Sequence, residues 1–254
     1  MADRSSPSAA GYVAAARVVL DEVATGQEPA VREAARLVAE SLRAGGIVQA
    51  FGAGHSEALA MEIAGRAGGL VPSNKIALDD LVVLGGAPPD VLFGPFLERD
   101  PAVAHRLYEL SAPHPEDIFV IASNSGVNGC VVELARLVKQ RGHRLLAVTS
   151  AAHTGHAASR HRSGRRLIDF ADVVLDNGAP PGDALLPLPS GARVCAISSL
   201  SAALLAQMVV AEVVRLLAEA GEEPPIYLSA NIDGGDDHNR KLENRYAGRL
   251  RRHA

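Results

Sequence analysis

The chain has 254 residues, 48% of them hydrophobic and only 4% aromatic, with no Trp. Its core must therefore be aliphatic, and the shortage of rings excludes base-stacking nucleic-acid modules. The formal net charge of −4 provides no field that would gather nucleic acid or an anionic membrane. Two cysteines, Cys130 and Cys195, are too few for a disulfide scaffold or a four-cysteine zinc site and fit a reducing, cytoplasmic setting.

Residues 1–9 lack an apolar stretch and read as a disordered lead-in, not a signal peptide. Tyr12, Ala16, Val19 and Val23, then Val31, Ala34, Val38 and Leu42, recur at helical spacing and predict a helical hairpin over 10–45. A repeated theme follows. The apolar run 47–51 leads into Gly52-Ala53-Gly54-His55-Ser56 and a helix over 57–66. The run 118–122 leads into Ser123-Asn124-Ser125-Gly126 and a helix over 127–141. The run 145–148 meets Thr149-Ser150, and 173–175 meets Asp176-Asn177-Gly178. With a further strand inside 70–84, this alternation predicts an α/β, three-layer sandwich around a five-stranded parallel sheet. The expected layout is one domain over 10–254, with an α/β core at 46–220 and a tail at 221–254. Residues 85–115 read as a loop and helix excursion. The uncharged run 194–211 approaches membrane-span length, but Ser198, Ser199, Ser201 and Gln207 mark it as the buried start of a last long helix over 198–220. The tail is expected to end in a polar helix over 236–252.

In a parallel α/β sheet, ligands bind beyond the carboxyl ends of the strands. Three such ends here carry Gly, hydroxyl and amide residues. Gly lets backbone approach, the N–H groups at a helix start point at a ligand, and small hydroxyls add donors, which together suit an anion. Nucleotide signatures fail. Glu57 stands where a dinucleotide fingerprint needs Gly, and no Gly-Lys-Ser/Thr loop or Gly-x-Ser-x-Gly elbow exists. The loop 151–166 holds His153, His156 and His161, yet no Cys or carboxylate there completes a metal set, so no metal and no other cofactor is expected.

The order GAGHS-helix, SNSG-helix, VTS resembles the sugar isomerase (SIS) domain family over 31–220. SNSGVN, SRHRSGRRL, DNGAPPGDA and SANIDGGDDHN are similar to stand-alone members of the actinobacterial N-acetylglucosamine-6-phosphate dehydratase type. The resemblance implies a sugar phosphate as ligand and a homodimer or tetramer, with neither nucleic acid nor membrane as partner. It implies that Ser123, Asn124, Ser125, Gly126 and Asn128 hold the phosphate with Thr149 and Ser150 beside them, and that Gly54, His55 and Ser56 line the sugar. Phosphosugar isomerases, dehydratases and etherases all begin by removing a proton next to a carbonyl, a task for a positioned carboxylate. Glu62 is the candidate, because six residues beyond Ser56 span about 9 Å of helix, comparable to the reach from a C6 phosphate to C1–C2 of a hexose. Phosphoheptose isomerases, as a family, pair such a Glu with a His on the last long helix, but 192–220 contains no His. The second acid/base is therefore expected to be His55, or His238 from a neighbouring subunit's tail. The expected activity is a phosphosugar lyase or dehydratase, with an aldose–ketose isomerase and a non-catalytic phosphosugar sensor as alternatives.

Overall fold

The computed structural model describes residues 7–94 and 96–251. Residues 1–6 of the expected lead-in lie outside these. Ser8 accepts from the Gly11 N–H and caps helix α1 (Ala9–Gly26). After Gln27 comes α2 (Glu28–Arg43), with Pro29 in its first turn and one face of Val31, Ala34, Ala35, Val38 and Leu42 buried. The two helices join where the hairpin turn was expected, but α1 leans on the long helix α8 (Ser198–Glu219) and on strand β6 (Ala184–Pro187) more than on α2.

The core alternates as the apolar runs require: β1 (Val48–Gly52), α3 (Glu57–Ile63), β2 (Ser73–Ile76), α4 (Asp80–Val83), α5 (Pro101–Ser111), β3 (Ile118–Ala122), α6 (Gly129–Gln140), β4 (Arg144–Thr149), α7 (Ala151–His156) and β5 (Val173–Asp176). Five parallel strands pair in the order β2-β1-β3-β4-β5. Both faces are covered, which is why β1 and β3 are buried along their length and, apart from Gln49 in β1, apolar. Ile118, Val120, Leu146 and Val148 face α2, α3 and the long helix α8 (Ser198–Glu219). Phe51, Phe119, Ile121, Leu145 and Ala147 face α5 and α6. By length and hydropathy α8 is long and apolar enough to cross a membrane. In this fold Leu205, Val209, Val213 and Leu217 bury one stripe of it in the core.

A small antiparallel hairpin, β6 (Ala184–Pro187) and β7 (Arg193–Ala196), precedes α8. It was not expected, because the Val194–Ala196 apolar stretch continues without a break into the apolar helix. The tail runs along the amino edge of the sheet. Ile226 pairs with Leu70 ahead of β2, and α9 (Gly235–Glu243) follows. Arg249 reaches Asp117, the residue before β3, at 2.5 Å, and Gly45 O at 2.8 Å.

One buried ionic hub sits on α6. Glu133, with 3% of its side chain exposed, accepts from Arg136 at 2.6 and 2.8 Å, from His105 at 2.7 Å and from His161 at 2.9 Å. The Arg136 guanidinium first, then the histidines, hold its carboxyl down at about 2 from an ordinary 4.5, against the opposing effect of burial. A depressed folded-state pKa stabilises above the unfolded value, and that stability is lost as pH falls through the folded one. Between pH 4.5 and 2 the hub is expected to lose about 3 kcal/mol, at 1.36 kcal/mol per unit. Glu133→Gln should flatten that part of the acid-denaturation curve; a variant curve parallel to wild type would contradict it.

Candidate phosphosugar site

The connections after β1 and β3 leave to opposite faces, since α3 packs with α2 and α8 whereas α6 packs with α5. Neighbouring strands whose chains diverge open a crevice beyond their carboxyl ends. Here it is narrow and is lined by His55, Ser56 and Leu59 after β1, Ala122, Ser123 and Asn124 at β3, Val148 at β4, Asn177 after β5, and Ser198, Ser199 and Ala202 of α8.

Local sequence explains the shape. Gly52 ends β1 because a Cβ there would lie 2.1 Å from Ser56 O, so only Gly lets the turn carrying His55 and Ser56 fold back this tightly. Gly126 closes the second turn at φ +65, its N–H donating to Ser123 Oγ at 3.1 Å. An added Cβ would lie 3.3–3.4 Å from Thr154, Leu167 and Thr149. Gly126→Val is therefore expected to weaken sugar-phosphate binding at least tenfold, since strain of about 1–3 kcal/mol falls on the turn itself; titration calorimetry reads it, and unchanged affinity would contradict it.

The donors are neutral. Among the described residues the Ser56 and Ser199 hydroxyls make no hydrogen bond, and Ser123 Oγ only accepts, so three O–H groups remain to donate into the crevice. Asn177, 2% exposed, donates to Asn124 Oδ1 at 3.0 Å. That bond turns the Asn124 NH2 toward His153 Nδ1, 3.4 Å away. His55 is the only titratable side chain in the lining.

Other expected site residues serve differently. Thr149 and Ser150 are fully buried and support the turns: Thr149 Oγ1 and the Ser150 N–H both donate to Asn124 O, and Ser150 Oγ caps α7 and donates to Ala179 O. Gly54 and Ser125 lie outside the lining, Gly54 exposed and Ser125 half-buried. Asn128, at the start of α6, donates to Glu98 Oε1 at 2.9 Å and accepts from Arg160 at 3.1 Å. Glu62 lies one and a half turns past Ser56. Its side chain is 22% exposed and turned toward α8, bonded to Arg66 and to Gln207 Nε2. It stands outside the crevice lining, tied between α3 and α8 by these two contacts. His238 binds Ile226 O at 3.0 Å on the amino edge of the sheet, so this chain does not bring it to its own crevice. Sequence reading missed Asn177, Ser198 and Ser199 as lining residues, although Asn177-Gly178 directly after a strand was a usable signal.

Among the described residues no three His, Cys, Asp or Glu cluster to hold a metal. His161 is taken by Glu133 and Ser163, and His156 by Ala152 O. Burial pushes the Cys130 thiol up to about 12, which leaves it inert as a nucleophile.

The model of the SIS domain family matches residues 11–150, more than half of the chain. This protein belongs to the SIS domain family. Curated relatives of this SIS protein include UPF0309 protein lmo0025 of Listeria monocytogenes, 43% identical across 92% of this chain and 95% of the relative. UPF0309 protein GK1441 of Geobacillus kaustophilus is 37% identical over 91% of each. Among solved structures, a phosphoheptose isomerase from Francisella tularensis shares the fold at TM-score 0.55 and 17% identity, over 80% of this chain and 94% of that one. The Vibrio vulnificus NanR protein, solved with ManNAc-6P, matches at TM-score 0.51 and 14% identity, over 92% of this chain and 67% of its own. The five-stranded parallel sheet with its flanking helices is the SIS fold.

Proposed function

We propose that this SIS protein is a cofactor-independent phosphosugar lyase acting on N-acetylglucosamine 6-phosphate or a close amino-sugar 6-phosphate. The observation that carries the reading is the set of undonated hydroxyls of Ser56, Ser123 and Ser199 around one crevice at the divergence of β1 and β3. Phosphate oxygens accept hydrogen bonds and donate few, so a lining of neutral donors matches them.

With the phosphate held by these hydroxyls, the open-chain sugar extends from the crevice toward Glu62, about 9 Å along α3 from Ser56. Glu62 removes the proton at C2. The electron pair, shared with the C1 carbonyl, then forms a C2=C3 bond as the C3–O bond breaks. His55, at the crevice, supplies the proton with which that oxygen leaves as water. A 2-acetamido group blocks the simple enediol route of a 2-hydroxy sugar, which favours elimination over isomerisation. The relation to the SIS family and the similarity to stand-alone dehydratase-type members support the substrate class.

The test is incubation with a panel of sugar 6-phosphates followed by mass spectrometry. Loss of 18 mass units from N-acetylglucosamine 6-phosphate is the expected result; a product of unchanged mass but new chromatographic retention signals isomerisation instead, and no change in mass or retention for any member overturns the enzyme reading.

A further inference from the structure

Next to the crevice lies a cavity that the chemistry above leaves unused. It has a volume of ≈ 40 Å³ and is bounded by Leu59 and Ile63 of α3, by Ala206, Val209 and Val210 of α8, and by Val148 of β4. The remaining walls are Val and Leu side chains only. Leu59 and Val148 also line the crevice, so the two spaces share a wall. Along α3 the crevice residues Ser56 and Leu59 give way to Ile63, and along α8 Ser199 and Ala202 give way to Ala206. The polar space thus passes into an apolar one in the same direction along both helices. Protein cores are otherwise close-packed, with few voids larger than a water molecule. This one has room for water but no polar side chain to hold it, and such voids stay dry.

The cavity lies at the level of Glu62. Glu62 precedes Ile63 and Gln207 follows Ala206, and the Gln207 amide donates to Glu62 Oε1 at 2.7 Å between the two helices. An ionised carboxylate only accepts, so the NH2 end of Gln207 faces it. Gln207 Oε1 makes no hydrogen bond among the described residues and is left as an acceptor. The carbon that Glu62 would deprotonate is also the carbon that carries the 2-acetamido group, which brings the acyl substituent beside this pair. The two ends of that substituent match what is there: an amide N–H for Gln207 Oε1, and a methyl group for dry aliphatic walls. Ligand sites combine apolar walls with a few placed polar groups in this way.

We propose that the cavity walled by Leu59 and Ala206 receives the acyl methyl group of an N-acylated amino-sugar 6-phosphate and is the feature that selects such sugars. The assignment rests on the reading of the crevice as the phosphate site and of Glu62 as the base. N-formylglucosamine 6-phosphate lacks only that methyl group. In calorimetric titration the wild type is expected to bind it about 10- to 200-fold more weakly than N-acetylglucosamine 6-phosphate, the usual weight of one carbon in an apolar pocket. Ala206→Val places two methyl groups in the cavity. It should bring the N-acetyl affinity down to the N-formyl level, with the N-formyl affinity unchanged as the sign of an intact fold. The wild-type comparison decides even where the variant does not fold. Equal wild-type affinity for the two ligands, or an Ala206→Val protein that prefers the N-acetyl compound by the wild-type margin, overturns the acyl pocket and leaves the crevice reading standing. Failure of the wild type to bind any sugar 6-phosphate overturns both.

Discussion

Glu62→Gln is expected to lower turnover of the sugar phosphate by about 10²- to 10⁴-fold, the span usually lost with a positioned general base, while binding of the substrate persists. The amide keeps the size of the side chain and its contact with Gln207, but it cannot take a proton. A folding defect does not explain such a loss. The pair with Arg66 is an i,i+4 bridge at a partly exposed site, and bridges of that kind contribute only about 0.3–0.5 kcal/mol. Single-turnover kinetics alongside calorimetric binding separate the two effects. Equal turnover in the variant would remove Glu62 from the chemistry and return it to the role of a bridge between α3 and α8.

Arg249→Ala is expected to lower stability by about 3 kcal/mol, because it leaves a carboxylate without its cation in the interior. The Asp117 side chain has no exposed surface and also accepts from the Ile47 and His114 N–H groups and from Gln49 Nε2. It ties the starts of β1 and β3 together, and Arg249 is the only guanidinium on it among the described residues. For a chain of this size, 3 kcal/mol corresponds to about 10 °C in melting temperature. Thermal unfolding of the variant reads the effect. A shift under about 2 °C would mean that the three N–H donors suffice and that the tail is a passive cover.

Four strands were legible because β1, β3, β4 and β5 are apolar runs that lead into Gly-, Ser- or Asn-bearing turns; β2 reads Ser-Asn-Lys-Ile and could be placed only within 70–84, where the apolar run before Gly85-Gly86 turns out to be the short helix α4. The turns at His55-Ser56 and Ser123-Asn124 were legible for the same reason, and the structure brings them to one crevice. What local pattern does not carry is direction. Thr149 and Ser150 sit at a strand tip like the others, but the chain crosses over them and buries both. Asn128 has the chemistry of a phosphate ligand or a helix cap, yet its amide is shared between Glu98 and Arg160, residues 30 and 32 positions away. The histidines of 151–166 showed no complete ligand set in the sequence, and what His161 does there became visible only when the fold placed Glu133 beneath it. The β6–β7 hairpin was hidden because a four-residue apolar strand and the first turn of an apolar helix have the same composition.

The most direct test of the account is a crystal structure with N-acetylglucosamine 6-phosphate bound. The phosphate is expected within hydrogen-bond distance of the Ser56, Ser123 and Ser199 hydroxyls, with the C1–C2 end of the sugar toward Glu62. A phosphate seated elsewhere, with the 123–126 turn empty at saturating ligand, or a sugar extending away from Glu62, would contradict it.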